Sequence, residues 1–236
     1  MASSRALRIT GRVIKYFVII SVFAVCIFMV WRAFFSDIMP DSMNNLVAND
    51  GVRAAYAQNG NDLRIVYQDQ INISSAEHNK GYFGIMRVDI LPEANQIQIV
   101  FRYNNSTLRY TKEDFSLETE PSKSDEVYDV TLVVKTESEV EGEFAETRIQ
   151  PTYFERDMTS LYNYRLFVYD LGDMDLSSLL DEGALESIFL DVYYNGAIDY
   201  ESAAYGTLCI YDYITETYDV RLSSADKRAI EGYCSK

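Results

Sequence analysis

An apolar run near the N-terminus constrains this chain more than any other part of its sequence. From Tyr16 through Val30 the sequence reads YFVIISVFAVCIFMV, which contains no charged side chain and one clearly polar one, Ser21. A helix that packs on a soluble core has a polar stripe along its outer face, and this run has none. The pattern therefore predicts a transmembrane helix.

The predicted membrane helix covers residues 13–35. Its uncharged centre is slightly short for a hydrocarbon core about 30 Å thick, but Lys15 and Arg32 can extend their charged tips to the two interfaces. Tyr16 and Trp31 then lie at headgroup level, where aromatic rings are favoured. A cleaved signal peptide is the alternative, but the apolar run continues into Trp31 and no A-x-A cleavage pattern follows it. We therefore predict an uncleaved anchor.

The charges around this helix predict its orientation. Basic residues precede it and acidic residues follow it closely: Arg5, Arg8, Arg12 and Lys15 on one side, and Asp37, Asp41 and Asp50 on the other. Cytoplasmic flanks of membrane helices have an excess of Lys and Arg. We therefore expect a single-pass protein of the cell membrane, with residues 1–12 in the cytoplasm and the C-terminal domain extracytoplasmic.

The predicted exported part is strongly acidic. The whole chain has a formal net charge of −15, and because residues 1–35 contain five basic and no acidic side chains, the remainder has a net charge of −20. Nucleic acids and anionic lipid surfaces bind basic proteins, so this charge argues against both as partners. The acidity either keeps an exported domain soluble or attracts a cationic partner such as Ca²⁺.

Residues 36–60 are predicted to form a stem and a short helix, and residues 61–236 a single extracytoplasmic domain. From Leu63 onward, apolar residues alternate or cluster over strand lengths. The predicted strands cover residues 63–68, 81–90, 96–103, 115–118, 127–135, 144–150, 162–169, 188–194, 205–213 and 217–222. Hairpins are predicted across residues 92–95 and across residues 214–216, and Asp175 and Ser223 are predicted to cap two short helices.

These segments predict a mainly β fold. Short strands, short turns and few helices are typical of an antiparallel β-sandwich with short flanking helices, here preceded by one N-terminal transmembrane helix. A parallel sheet would require crossover helices, which the pattern lacks.

The order of four short segments resembles that of a known group of sequences. The segments are Arg53-Ala54-Ala55-Tyr56, Arg102-Tyr103-Asn104-Asn105-Ser106-Thr107-Leu108, Tyr162-Asn163-Tyr164-Arg165 and Tyr205-Gly206-Thr207-Leu208-Cys209-Ile210-Tyr211-Asp212. They are similar to segments of uncharacterised proteins from clostridial Firmicutes. That resemblance implies one N-terminal membrane span and a β-rich exported domain. It implies no activity and no catalytic or binding residue.

The cysteines allow one disulfide outside the membrane. Cys26 lies in the predicted span, which leaves Cys209 and Cys234. In an oxidising exterior these two can pair, and closing a loop of about 25 residues would stabilise the fold by roughly 3 kcal/mol. Two unpaired thiols, one buried and one in the C-terminal tail, are the equally open alternative.

The sequence contains no recognisable catalytic motif. A hydrolase triad needs a base that titrates near neutral pH, and His78, the one histidine, lies in a polar stretch typical of a loop. The G-x-S-x-G, phosphate-loop, H-E-x-x-H and C-x-x-C patterns are absent from the sequence. We therefore predict no catalytic, metal-binding or cofactor-binding residue and expect that the protein is not an enzyme.

Two weaker patterns point to ligands. Asp170, Asp173 and Asp175 lie close together, and carboxylate oxygens suit Ca²⁺, although the EF-hand spacing fails. Exposed tyrosines such as Tyr193, Tyr194 and Tyr200 can stack on sugars, although tyrosines at strand spacing more often pack across strands.

Together these observations predict an interaction or accessory module at the cell surface. Its partners would be the lipid bilayer, through the N-terminal helix, and another membrane or envelope protein. A carbohydrate- or calcium-binding domain of the cell envelope is the alternative.

Overall fold

The computed structural model describes residues 2–35, 39–68, 82–138, 144–159, 161–198 and 204–232. The chain forms two compact units, Met1–Met39 and Pro40–Lys236. The first contains helix α1, Ala2–Phe35, whose segment Ile14–Trp31 has a mean hydropathy of 2.4 and is 0% buried within the protein. This helix is long and apolar enough to cross a membrane.

The second unit is built from two antiparallel sheets and short helices. The strands are β1 (Ile65–Gln68), β2 (Phe83–Leu91), β3 (Gln96–Asn104), β4 (Tyr128–Glu137), β5 (Phe144–Ile149), β6 (Tyr153–Met158), β7 (Tyr162–Asp170), β8 (Leu185–Tyr194), β9 (Gly206–Asp212) and β10 (Thr217–Val220). The helices are α2 (Asp50–Asn59), α3 (Asn105–Asp114), α4 (Leu176–Asp181) and α5 (Ser224–Glu231). The large sheet has the order β10-β1-β2-β3-β7-β6 and the small sheet the order β5-β4-β8-β9. The predicted antiparallel β-sandwich is confirmed.

The main core lies between the two sheets. In the large sheet, alternate residues of β3 face inward, among them Ile97, Ile99 and Phe101, and all three are 0% exposed. In the small sheet, Leu132 on β4 and Leu190 on β8 lie in the same core. This alternation follows from the two-residue period of a strand, which places every second side chain on one face.

The outer face of the large sheet is covered as well. Residues 41–49, which we call the strap, lie against it, and Met43 in the strap is 0% exposed. The side chain of Gln98 on β3 accepts a hydrogen bond from the Val47 N–H at 2.8 Å and donates to the Val47 carbonyl at 3.0 Å. A second apolar cluster joins the strap and α2 to α5 through Leu46, Val52 and Ile230. β3 is therefore buried on both faces.

Several predicted local features are confirmed. β2 and β3 form a hairpin across residues 92–95, in which Asn95 takes the left-handed conformation with φ 52°. Asp175 accepts a hydrogen bond from the Ser178 N–H at 3.2 Å and caps α4. Ser223 likewise accepts one from the Asp226 N–H at 3.1 Å and caps α5.

The strand predicted at residues 115–118 is wrong. α3 occupies residues 105–114 instead, because Asn104 accepts a hydrogen bond from the Thr107 N–H at 2.9 Å and acts as its N-cap. Phe115 ends the helix, and Ser116 follows with φ 52°, a turn conformation. Asn is among the strongest N-cap residues, so Asn104-Asn105 begins a helix as well as ending a strand.

The hairpin predicted across residues 214–216 is also wrong. β9 pairs with β8 in the small sheet, whereas β10 pairs with β1 in the large sheet, with Ile65 opposite Val220. Residues 213–216 therefore carry the chain from one sheet to the other. A short connection between two strands does not ensure that they pair with each other. Here β10 pairs instead with the open edge of β1, a strand that is distant in the sequence.

Candidate functional site

The acidic residues considered for Ca²⁺ are not brought together. Asp170 accepts a hydrogen bond from Thr152 Oγ1 at 2.9 Å, Asp175 caps α4, and Asp173 is exposed. Hydrogen bonds from Ser178 lower the pKa of Asp175. Across the described ranges, no group of three or more His, Cys, Asp or Glu side chains is placed to hold a metal ion.

Two of the three tyrosines considered for sugar stacking are packing residues. Tyr193 is 3% exposed, and its hydroxyl accepts a hydrogen bond from Arg148 at 2.8 Å. Tyr194 packs its ring on Phe115 with 4.6 Å between ring centroids. Tyr200 lies outside the described residues.

The cysteine and histidine predictions are only partly covered by the structure. Cys209 is buried on β9, with its Sγ 3.5 Å from the carbonyl oxygen of Tyr211, and burial raises the pKa of its thiol. Cys234 and His78 lie outside the described residues. The disulfide between Cys209 and Cys234 therefore stays a prediction.

A cleft of about 220 Å³ lies between the sheets, near the edge where β6 ends the large sheet. Its lining comes from both sheets and from the connections beside them: Phe101, Tyr103, Glu126, Val127, Tyr128, Asp129, Val130, Pro151, Phe154, Arg165, Phe167 and Asn195. Most of these are apolar or aromatic, with a few polar groups among them. That composition is typical of a site for a small organic molecule.

Arg165 is the most buried of the charged residues that line this cleft. It lies on β7 directly opposite Phe101 of β3, and paired residues of antiparallel strands project to the same face. Its side chain therefore points into the sandwich, and Arg165 is 4% exposed. Burial lowers the pKa of this guanidinium, against a smaller raising effect of Tyr103. The other residues around this buried cation include several aromatic rings.

The hydrogen bonds of Arg165 all reach uncharged acceptors. Nη1 donates to the Tyr164 carbonyl at 2.9 Å, and Nη2 donates to the Tyr103 hydroxyl at 3.0 Å and to the Lys123 carbonyl at 3.4 Å. The guanidinium carbon also lies 5.5 Å from the ring centroid of Tyr103 and 5.7 Å from that of Phe154. Cation–π contacts at these distances stabilise a cation without neutralising its charge.

A second arginine lies beside the residues that line this cleft. Arg156 on β6 lies directly opposite Arg165 on β7, so both side chains project from the same face of the large sheet. Arg156 is exposed and donates a hydrogen bond to the Ser124 carbonyl. Like charges directly opposite each other on neighbouring strands destabilise a sheet.

No carboxylate neutralises this arginine pair at short range. Within the part of the chain that the structure describes, neither guanidinium has a carboxylate oxygen within 4.0 Å. Glu126 and Asp129 line the cleft farther away, and Glu126 has a small raising effect on the pKa of Arg165. Arg148 on β5, by contrast, has Glu146 at 2.9 Å and Asp191 at 3.4 Å.

Neither arginine was predicted from the sequence as a site residue. Arg165 lies in a predicted strand, two and four residues before Phe167 and Tyr169, and therefore on the same face as these two aromatic residues. That pattern could have indicated a charge that faces the core. Arg156 could not have been placed, because β6 was not predicted and most of its residues are exposed.

Comparisons with protein-family models, with curated proteins and with solved structures found no match for this chain. The molecule is thus defined by its own architecture. It is an antiparallel β-sandwich with a cleft between its sheets, preceded in the chain by a helix that is long and apolar enough to cross a membrane.

Proposed function

We propose that this chain is a single-pass membrane protein whose acidic β-sandwich lies outside the cell membrane as a non-enzymatic interaction or accessory module. The observation that supports this most is the segment Ile14–Trp31, with a mean hydropathy of 2.4 and 0% burial. So much contiguous apolar surface is costly in water and favourable in lipid. Basic residues before the segment and acidic residues after it support an extracytoplasmic C-terminal domain.

Membrane association and orientation can be tested on cells expressing the full chain. The protein should stay in the membrane fraction after a high-salt wash and dissolve only in detergent, because the anchor is apolar. A chain that lacks residues 1–35 should be soluble. Protease added to intact spheroplasts should digest an epitope at the C-terminus and leave one at the N-terminus intact. A cleaved, soluble form of the full chain would contradict the proposal.

The partner in this proposal is another membrane or envelope protein. The resemblance to exported clostridial proteins supports a place at a bacterial cell surface, and the net charge of −20 beyond residue 35 argues against nucleic acid. Crosslinking in native membranes, followed by purification of the full chain, should recover one defined membrane or envelope protein. The chain without residues 1–35 is the control, and recovery of the same protein set with both would count against a membrane-dependent partner.

Carbohydrate binding is the second candidate function, and the aromatic-lined cleft is the observation that favours it. Tyr128, Phe154 and Arg165 supply the flat faces and hydrogen-bond donors that sugars use. Titration of the full chain with fragments of cell-wall glycan should then give saturable binding. The calcium alternative has no comparable support, because the carboxylates of Asp170, Asp173 and Asp175 do not converge on one point.

A further inference from the structure

We propose that the cleft between the two sheets binds a small organic anion, whose oxyanion lies against Arg165 and Arg156 and whose flat body lies among the aromatic rings. Such binding depends neither on the membrane anchor nor on a protein partner, so ligand binding can be absent while the proposed function stands, and the reverse.

The first support is the missing counter-charge. The part of the chain beyond residue 35 has a net charge of −20, yet the two opposed guanidiniums have no carboxylate within 4.0 Å among the described residues. Elsewhere in the same domain, Arg64 has Asp181 at 3.1 Å and Arg87 has Asp89 at 2.6 Å. A buried charge without a partner is costly. An external oxyanion would supply the partner.

The second support is the donor count of Arg165. A guanidinium has five N–H donors in a fixed plane. The side chain makes three hydrogen bonds in the described structure, two from Nη2 and one from Nη1. The Nε–H and one Nη1–H are left for a ligand, and hydrogen bonds from a cation to an oxyanion are the stronger kind.

The third support is the shape of the cleft. Its volume of about 220 Å³ exceeds the ~150 Å³ of a protein cavity that holds a benzene ring. The Phe154 and Phe167 rings lie 5.6 Å apart between centroids and, with Tyr128, form apolar walls. A planar body of one ring therefore fits beside the guanidiniums.

The rim limits the charge of the ligand. Glu126 and Asp129 also line the cleft, and they would repel an anion with several charges. The arrangement therefore favours a singly charged oxyanion on a flat body. An aromatic carboxylate and a sugar carboxylate share this chemistry, and the experiment must distinguish them.

The test uses the full chain in nanodiscs of neutral lipid and four probes: benzoate, benzamide, glucuronate and glucose. Binding is measured by isothermal titration calorimetry and by the shift in melting temperature. We expect benzoate or glucuronate to bind saturably and to raise Tm by roughly 5 °C at saturating concentration. Benzamide and glucose lack the charge and should bind at least tenfold more weakly.

Three variants locate the site. Arg165→Met should abolish anion binding. Arg156→Gln, at an exposed position, should weaken it about tenfold, the loss expected for one charge-assisted hydrogen bond. Arg109→Gln is the matched control, because it removes the same charge from an exposed position on α3 and should leave binding unchanged.

Tighter binding of benzoate than glucuronate assigns an aromatic carboxylate, and the reverse assigns a sugar acid. The inference is overturned if neither anion binds the wild-type chain, if a neutral probe binds as tightly as its anion, or if Arg156→Gln binds like Arg109→Gln.

Discussion

Opposite faces of the large sheet hold two arginines, Arg87 and Arg165, whose surroundings differ. On the outer face, Arg87 pairs with Asp89 at 2.6 Å and donates to the carbonyls of Met43 at 2.6 Å and Asn45 at 2.9 Å. On the inner face, Arg165 donates to two carbonyls and a phenol and has no carboxylate within 4.0 Å in the described chain. Arg87 is thus a neutralised structural link, whereas Arg165 is an uncompensated charge beside a cleft.

An arginine in the interior of a sheet is therefore not by itself a sign of function. The informative features are whether its charge is neutralised and whether open space lies beside it.

The largest effect is expected from Arg87→Met. This change removes the charged partner of Asp89, whose carboxyl group must then stay protonated or carry an uncompensated charge. It also removes the donors to the Met43 and Asn45 carbonyls, so we expect a loss of about 3–5 kcal/mol in the free energy of unfolding at pH 7. Urea denaturation of the full chain in nanodiscs measures it. Arg109→Met, at a position whose side chain is 58% exposed, is the control and should cost less than ~0.5 kcal/mol. Equal losses in the two variants would refute the contrast.

The second effect is a pH dependence that belongs to Asp89. Burial raises the pKa of Asp89 to about 6, against the opposing effect of Arg87. The folded state therefore binds the proton of the Asp89 carboxyl group more tightly than the unfolded chain does. The resulting stabilisation of the folded state is fully present below pH ~4 and is lost as the pH rises through 6. The change is on the order of 2–3 kcal/mol.

Asp89→Asn tests this linkage directly. Unfolding measured between pH 4 and pH 7 should show a smaller loss of stability with rising pH in the variant than in the wild-type chain. Asp173→Asn, which changes an exposed carboxylate, is the control and should keep the wild-type slope. Identical slopes in Asp89→Asn and the wild type would show that another group sets the pH dependence.

The third effect concerns the strap. Gln98→Met leaves the backbone N–H and carbonyl of Val47 without their partners, and we expect a loss of roughly 2 kcal/mol. Gln58→Met, at an exposed position on α2, should change stability by less than ~0.5 kcal/mol. Hydrogen exchange of the Val47 amide should accelerate in the first variant alone; unchanged exchange would show that Gln98 does not hold the strap.

The smallest change in stability is expected from Arg165→Met. Removing an uncompensated buried cation offsets the loss of its hydrogen bonds, so the free energy of unfolding should stay within ~1 kcal/mol of the wild-type value or rise. Chemical denaturation compares this variant with Arg87→Met under identical conditions. A loss as large as that of Arg87→Met would mean that Arg165 is a structural link as well.

Sequence patterns predicted the fold class because apolar alternation and apolar runs of strand length are local properties. The strands β3, β7 and β8 could each be recognised within nine or ten residues. The pairing of β1 with β10 could not, because it joins Ile65 to Val220, and its choice depends on which edges remain open in the folded sandwich.

The candidate site was harder to predict because it, too, depends on which strands pair and in which register. Arg165 and Arg156 become neighbours only through the register of β6 on β7, and β6 has an exposed pattern with little apolar alternation. The strap was predicted only as part of the stem and short helix of residues 36–60, since nothing local in residues 41–49 shows that Gln98, Arg87 and Asp226 will hold their backbone.

The strap also determines how this domain would respond to mechanical load. Tension that reaches the domain along the backbone from before Pro40 acts first on residues 41–49. Their links to Gln98, Arg87 and Asp226 are distributed along the segment, so the load would be shared among several hydrogen bonds instead of opening them singly. The strap would therefore bear such tension before the hydrogen bonds of the sheets do.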